Sequence, residues 1–155
     1  MKIVPRLFLL LGPVTAGLLL GGCAGLGGSD LDSKRAEVVS AALSQVGTPY
    51  RYGGTEPGHA LDCSGLTHYA YQAAGVRIPR SSVDQRQGAK PVNPQCPHPG
   101  DLVFFRTGPG VHHVGLMVDG ERFVHASTSQ HKVGLARLHT PYWTARYLGA
   151  GTYLD

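Results

Sequence analysis

The segment from Asp62 to Leu66, with the sequence DCSGL, constrains the fold more than any other part of the chain. Asp62 is a favourable N-cap, apolar residues recur on one helical face after it, and Gly75 can end a helix. The pattern therefore predicts a helix that begins at Cys63.

A thiol at the first position of a helix lies at the positive end of the helix dipole, beside backbone N–H groups without helical partners. Both features favour the thiolate, so we expect Cys63 to have a lowered pKa and to be a nucleophile. The alternative is a small buried cysteine that packs under a sheet. The polar helix end and the histidines further along the chain favour the nucleophile.

Residues 1–22 have the composition of an export signal. Lys2 and Arg6 precede an apolar run that is too short and too rich in glycine for a membrane span. The run ends in LGGC, which resembles the cleavage box of bacterial lipoproteins and indicates that Cys23 is lipidated. Ala24 follows it, and in such lipoproteins this implies the outer membrane, with the domain facing the periplasm. The alternative is an ordinary signal in which Cys23 is incidental.

On this interpretation residues 23–32 are a lipidated cysteine with a flexible, glycine-rich tether, and residues 33–155 form one domain. The membrane is then a partner through the lipid on Cys23. The formal net charge is only +4 and no basic cluster stands out, so the sequence gives no support for nucleic-acid binding. It carries no indication of the oligomeric state.

Helical patterns come first along the domain, and strand patterns follow. We expect a helix from Ser33 to Val46, with Ala36, Val39, Leu43 and Val46 on one face. The cysteine helix and a short helix that ends near residue 88 should follow. Five strands are expected at 101–105, 111–118, 121–127, 133–138 and 147–154, with the second in a central position. This order predicts an α+β fold, in which the cysteine helix packs on a roughly five-stranded antiparallel sheet.

Six motifs occur in the order seen in NlpC-type cell-wall cysteine peptidases, and together they run through nearly all of the domain. They are YRYGG at 50–54, DCSGL at 62–66, IPRS at 78–81, PGDLVFF at 99–105, HVGL at 113–116 and FVHAS at 123–127. The chain therefore resembles this family. The resemblance implies a papain-like fold and hydrolysis of amide bonds in peptidoglycan peptides, with no cofactor.

The resemblance also implies a role for each residue of the site. It makes Cys63 the nucleophile, His113 the general base and acid, and His125 the residue that orients His113. The same chemistry follows from the side chains, since a thiol can attack a carbonyl and one imidazole can fix the tautomer of another. The non-catalytic alternative for His125 is a buried histidine that is hydrogen-bonded to a backbone carbonyl.

Tyr50, rather than Tyr52, matches the family tyrosine that helps to stabilise the oxyanion, together with the backbone N–H of Cys63. Asp62 and Ser64, which flank the cysteine, are expected to belong to the same oxyanion and substrate-binding region. The spacer 55–61 is about one residue longer than in similar members of the family.

His113 is expected to be the base instead of His112, because neighbouring strand residues point to opposite faces. The face of His113 also carries Gly115, which leaves room for the N-terminus of the cysteine helix. With His125 and His131 these histidines raise the alternative of a zinc site. The chain lacks an H-E-x-x-H helix and paired cysteines, so we expect no metal.

Two cysteines would remain beside the lipidated one in an oxidising compartment, which suggests a disulfide. A bridged Cys63 could not be a nucleophile. We therefore expect Cys96, in a proline-rich surface loop, to be unpaired and without a catalytic role.

The sequence constrains the type of reaction more than it constrains which peptidoglycan bond is cleaved. The cross-link between D-alanine and diaminopimelate and the γ-D-glutamyl–diaminopimelate bond of the stem both lie within the range of the family. We favour the cross-link, because no recognition domain is attached. A non-catalytic, lipid-anchored wall-binding protein is the alternative of a different class.

The turn between the two histidine strands tests the catalytic set by parity. A two-residue turn at Asp119-Gly120 would pair Val118 with Glu121 and put the histidines on opposite faces. We expect a three-residue loop at 119–121, with both imidazoles on the Cys63 side of the sheet and within hydrogen-bonding distance of each other.

Overall fold

The computed structural model describes residues 26–154, with the backbone alone for residues 26–29. Its four helices are α1 (Leu26–Leu43), α2 (Cys63–Ala73), α3 (Ser82–Gly88) and α4 (Pro141–Thr144). Its strands are β1 (Thr55–Glu56), β2 (Ala60–Leu61), β3 (Lys90–Pro91), β4 (Leu102–Gly108), β5 (Val111–Met117), β6 (Arg122–Ser127), β7 (Lys132–Arg137) and β8 (Tyr147–Thr152). None of the described helices combines the length and apolar character that a membrane span needs.

A six-stranded antiparallel sheet, in the order β3-β8-β4-β5-β6-β7, forms the centre of the fold, and β1 and β2 form a separate two-stranded sheet. The α+β prediction is confirmed, and the five expected strands correspond to β4 to β8. Strand β5 lies between β4 and β6, as its apolar faces predicted. The expectation of five strands missed β3, a two-residue edge strand, because so short a segment has no measurable alternation.

Helix α2 begins and ends as its sequence predicts. The Asp62 side chain caps it by accepting a hydrogen bond from the backbone N–H of Gly65 at 2.6 Å. Gly75 follows the last turn with a φ of +76°, a conformation that glycine adopts without steric cost. The buried face of α2, with Leu66 and Ala70, packs against the sheet.

Helix α1 differs from the prediction at both ends. It begins at Leu26 instead of Ser33 and ends at Leu43 instead of Val46, so residues 26–32, which we placed in the tether, are helical. Its core residues are Val38 and Ala42, whereas Ala36, Leu43 and Val46 of the expected face are exposed. The apolar spacing of this segment is compatible with two helical faces. Packing against α2 buries the face of Val38 and Ala42 instead of the expected one.

An ion pair attaches α1 to the sheet. Arg35 donates to Oδ1 of Asp101 and to the carbonyl of Pro99, each at 2.8 Å. Asp101 is fully buried and also accepts a hydrogen bond from the backbone N–H of His98. Since the buried carboxylate has a cation and an N–H donor, its burial is compensated.

The two faces of the sheet bury different clusters. The face toward α1 and α2 includes Phe104, Val114, Leu116, Val124 and Ala126. The opposite face includes Val103, Phe105, Met117, Phe123 and Leu138, which pack with Trp143 and Tyr147. Alternate residues of one strand therefore contribute to two separate cores.

Candidate active site

Cys63 is the first residue of α2, and its side chain is partly buried against the cluster that joins α2 to the sheet. Burial raises the pKa of its thiol, and hydrogen bonds from the backbone of Val114 and Ser64 act in the opposite direction. The expectation of a lowered pKa is therefore wrong, because desolvation of the thiolate outweighs the helix N-terminus. The raised pKa favours the neutral thiol over the thiolate in the free site.

The β5–β6 connection has the expected odd parity. Leu116 pairs with Val124 and Met117 with Phe123, and the N–H of Val118 donates to the carbonyl of Arg122 at 2.9 Å. These contacts leave a three-residue loop at 119–121, which confirms the prediction. The Asp119 side chain closes it by accepting hydrogen bonds from the N–H groups of Glu121 and Arg122.

This register brings the two imidazoles together. The Nε2 atom of His113 lies 3.0 Å from Nδ1 of His125, and both side chains are buried. Burial lowers the pKa of His113 to about 3, with a further contribution from His125, and lowers the pKa of His125 to about 4. Both rings are therefore neutral near pH 7.

The imidazoles lie on the face of the sheet opposite to α2, and this corrects our expectation. His113 and His125 pack with Phe105, Phe123 and Trp143, whereas α2 packs against the face of Val114. Gly115 does not make room for the helix either, because a side chain there would collide with the ring of Phe123. The motif identified the residues of the site but carried no information about the face on which α2 lies.

The ladder between β5 and β6 is interrupted beside the site. Within the described chain, pairing between β5 and β6 is confined to Leu116–Val124 and Met117–Phe123. The N–H of Met117 points to Asp101 beside β4, so by alternation that of Val114 points toward β6. Instead of completing the ladder, the backbone of Val114 hydrogen-bonds the Cys63 thiol. The thiol therefore lies where the strands separate, against Val114, which follows His113 in the chain.

The His113–His125 contact is compatible with a tautomer that suits a general base. If Nε2 of His113 carries the proton and donates it to Nδ1 of His125, Nδ1 of His113 is free to accept a proton. His125 then carries its own proton on Nε2. The arrangement leaves one basic nitrogen in the pair available for the thiol proton.

Asp62 and Ser64 are held by Arg80, a residue of the IPRS motif to which we had assigned no role. Arg80 donates to both carboxylate oxygens of Asp62, at 3.0 and 2.9 Å, and to Oγ of Ser64 at 2.7 Å. Asp62 also accepts from the backbone N–H of Gly53. These bonds join the start of α2 to the loop before it and to the segment before α3.

Tyr50 lies close to the thiol, and Tyr52 lies at the edge of the site. Burial raises the pKa of Tyr50, and the proximity of Cys63 and Asp62 raises it further. The side chain of Tyr52 is 91% exposed. The position of Tyr50 beside Cys63 agrees with the preference for Tyr50 over Tyr52.

A cavity of about 860 Å³ connects these groups. All six predicted site residues line it, namely Tyr50, Asp62, Cys63, Ser64, His113 and His125. Arg80, His112 and Trp143 also line it. Of these, Arg80 and Trp143 were not predicted as site residues, and His112 was considered only as an alternative to His113. Arg80 had a signal, since it belongs to a quoted motif, whereas Trp143 stood out only as the single tryptophan of the chain.

The remaining candidates are distributed over the surface and the cavity wall. Cys96 is an exposed free thiol, and Cys63 is also free. His131 has a φ of 56° in the β6–β7 turn. Across residues 26–154, no group of three or more histidine, cysteine or carboxylate side chains is placed to hold a metal ion. Cys23 lies outside the described residues.

The chain is similar in sequence to bacterial proteins named as endopeptidases and hydrolases. The chain is 36% identical over 135 residues to murein DD-endopeptidase MepH of Escherichia coli, an alignment that covers 79% of this chain and 50% of the relative. It is 38% identical over 115 residues to gamma-DL-glutamyl hydrolase of Bacillus subtilis, over 72% of this chain and 28% of the relative. The chain thus spans half or less of the length of these relatives.

The fold has close counterparts among solved structures. A protein from Staphylococcus aureus, described as similar to a lipoprotein of the NLP/P60 family, superposes with a TM-score of 0.71 at 31% identity. The superposition covers 80% of this chain and 42% of that protein. A model of the NlpC/P60 family matches residues 47–152, which include every residue of the site described above. The chain belongs to the NlpC/P60 family.

Proposed function

We propose that the protein is a peptidoglycan endopeptidase that hydrolyses amide bonds by a thiol mechanism with Cys63, His113 and His125. The main support for this proposal is that the thiol and the hydrogen-bonded imidazole pair line the same cavity. The names of the relatives, a murein endopeptidase and a glutamyl hydrolase, support this class of substrate.

The resting state determines how the first step begins. Because the thiol and both imidazoles are neutral, the Cys63 proton passes to Nδ1 of His113 as sulfur attacks the carbonyl carbon. The resulting imidazolium is stabilised by its Nε2–H bond to His125. In this scheme His125 is an orienting residue and does not itself transfer a proton to the substrate.

The tetrahedral intermediate carries its negative charge on the former carbonyl oxygen. The Cys63 N–H and the Tyr50 hydroxyl supply hydrogen bonds to this oxygen. The carbon–nitrogen bond then breaks, the leaving amine takes the proton from His113, and a thioester remains on Cys63. Water attacks the thioester and gives one proton to His113, which returns it to the sulfur as the carbon–sulfur bond breaks. The product leaves as a carboxylic acid and loses its proton to the solvent.

We infer that the bond is the D-alanyl–diaminopimelate cross-link, which agrees with the DD-endopeptidase name of the Escherichia coli relative. The γ-D-glutamyl–diaminopimelate bond of the stem is the second candidate, favoured by the glutamyl hydrolase from Bacillus subtilis. Mass spectrometry of the fragments released from purified peptidoglycan separates the two. Monomers released from dimers support the cross-link, and shortened stems support the second bond.

We also propose that residues 1–22 are removed as a signal and that Cys23 is lipidated, which would hold the domain at the outer membrane facing the periplasm. A Cys23→Ser variant should then leave the membrane fraction while the soluble domain keeps its activity. Continued fractionation of this variant with the outer membrane would exclude lipid as the anchor.

The thiol mechanism has a direct test. Alkylation of the purified protein should abolish release of soluble fragments from peptidoglycan, and alkylation of a Cys96→Ser variant should do the same. A chelator should leave the activity intact. Inhibition by a chelator that zinc reverses would contradict the thiol mechanism. Complete inactivity of unmodified protein on peptidoglycan would instead favour a wall-binding role.

A further inference from the structure

Trp143 contacts both imidazoles of the site. Its ring is stacked on His113, with centroids 5.7 Å apart and planes inclined by 20°. It meets His125 edge to face, with centroids 5.1 Å apart and planes inclined by 83°. The two imidazoles are themselves inclined by 89° to each other, so one flat indole matches the different orientations of both rings.

The indole is fixed by the same strands that carry or flank the histidines. Its centroid lies 4.6 Å from that of Phe105 on β4 and 5.0 Å from that of Phe123 on β6. The carbonyl of Trp143 accepts a hydrogen bond from the N–H of Arg146, whose own carbonyl accepts one from Arg106 on β4. The end of the one-turn helix α4 is therefore attached to β4, and its indole packs on β4 and β6.

This placement gives the indole two physical effects. It covers faces or edges of the imidazoles that would otherwise meet water in the cavity, and it restricts the torsions that separate Nε2 of His113 from Nδ1 of His125. A ring free to rotate would spend less time with its basic nitrogen toward the thiol, and misplacement of a base slows proton transfer.

We propose that Trp143 is a positioning residue of the imidazole pair, which holds the His113–His125 hydrogen bond in its reactive orientation and keeps water from the two rings. The inference rests on the proposed function, because it concerns the same site. It assigns a role to α4, an element to which neither the motifs nor the chemistry of the site had given one.

The surroundings of the pair leave burial as the main influence on its protonation. The titratable and charged groups on the elements around it are Cys63 of α2, Tyr50 and the Asp62–Arg80 pair, His112 of β5, Tyr147 of β8, and Tyr142 and Arg146 at α4. Arg146 lies 3.9 Å above the ring of Tyr142, which also lines the cavity. Loss of the indole should therefore act by admitting water.

A titration of the imidazole protons by NMR tests the proposal without any substrate. In a Cys63→Ala background, the His113 signal is assigned by its loss in a His113→Gln variant. In Trp143→Ala the midpoint of this signal should move upward by more than about one pH unit, because the ring regains water. Trp143→Phe should restore a midpoint close to that of the parent.

Tyr147→Leu is the matched control, since Tyr147 packs on Phe105 in the same cluster but its ring contacts neither imidazole. It should lower stability without moving the His113 midpoint. A midpoint that stays in place in a folded Trp143→Ala protein overturns the proposal. So does an equal movement in Tyr147→Leu, since this would show a general loosening of the cluster.

Kinetics on peptidoglycan fragments provide the second readout. Trp143→Ala should lower kcat by about 10-fold to 100-fold with little change in KM, because the indole acts on the base and not on ground-state binding. The acidic limb of its pH profile should move to higher pH, as the protonated fraction of His113 grows. An unchanged limb contradicts the proposal. Absence of hydrolysis by the unmodified protein would contradict the proposed function alone, and the NMR result would still decide the role of Trp143.

Discussion

Nε2 of His113 lies 3.0 Å from Nδ1 of His125, although the strands that carry the two residues are not paired at that level. The three-residue loop at 119–121 sets both side chains on one face, and the separation of β5 from β6 gives the rings space to meet edge to face. The contact therefore depends on the register and on the interruption of the ladder together.

Substitutions of the proposed triad should have graded effects. Cys63→Ala should reduce hydrolysis to background because the nucleophile is lost, and His113→Ala should cost at least the ~10²–10⁴-fold that a general base supplies. His125→Ala should retain measurable activity, since an orienting group contributes less than the groups it orients. Release of soluble fragments from peptidoglycan measures all three. Full activity of the His113→Ala variant would remove it from the mechanism.

The buried imidazole pair should make the protein less stable in acid. The pKa values of His113 and His125 are lowered to about 3 and about 4 in the folded protein, against an ordinary value of 6.5. Below pH ~6.5 the unfolded chain therefore binds more protons, and stability should fall as the pH drops toward ~4.

Urea unfolding at about pH 7 and about pH 4.5 measures this loss. A His113→Gln/His125→Gln double variant should lose less stability between the two pH values than the parent, because it lacks the two groups that protonate on unfolding. An equal loss in both proteins would show that other groups control the acid transition.

Arg80 should stabilise the start of α2 through Asp62. The Arg80 side chain is 38% exposed and that of Asp62 is 12% exposed, so solvent screens the pair in part. Arg80→Met should cost roughly 1–3 kcal/mol, because Asp62 keeps its two backbone donors but loses its cation. A double-mutant cycle with Asp62→Asn, measured by urea unfolding, should give a coupling between the two positions. Additive effects would contradict a direct interaction.

Gly115 should not tolerate a side chain. A Cβ at this position would collide with the ring of Phe123, which packs against both His125 and Trp143. Gly115→Ala should therefore cost about 1–3 kcal/mol and also lower activity, since Phe123 would move the groups that surround the base.

Gly134→Ala on β7, on the other side of β6 from Gly115, is the matched control for stability. Its Cβ would meet Oε1 of Gln130 at 2.9 Å, which is the far end of a flexible side chain that can move aside. The thermal midpoint of Gly134→Ala should stay near that of the parent. An equal decrease in both variants would indicate a general intolerance of alanine in these strands.

Sequence reasoning succeeded where the signal was local. Asp62 and Gly75 define the ends of α2 through bonds and dihedral angles within a few residues, and a parity argument was enough for the loop at 119–121. The motifs likewise located the side chains that line the cavity.

Sequence reasoning failed where the outcome depends on contacts between residues that are far apart in the chain. The face on which the imidazoles lie is decided by α2 and by Trp143, which come from opposite ends of the domain. The raised pKa of Cys63 reflects the amount of protein around the thiol, which the helix N-terminus alone does not reveal. The position of α1 depended on its packing against α2 and on Arg35 reaching Asp101.

The interruption between β5 and β6 affects stability and activity in opposite directions. Continuing the ladder past Leu116 and Val124 would add backbone hydrogen bonds and make the sheet more regular. It would also withdraw the N–H of Val114 from the thiol. Variants selected only for thermal stability should accumulate changes that extend the pairing of β5 with β6. Their hydrolytic activity should decline as their melting temperature rises.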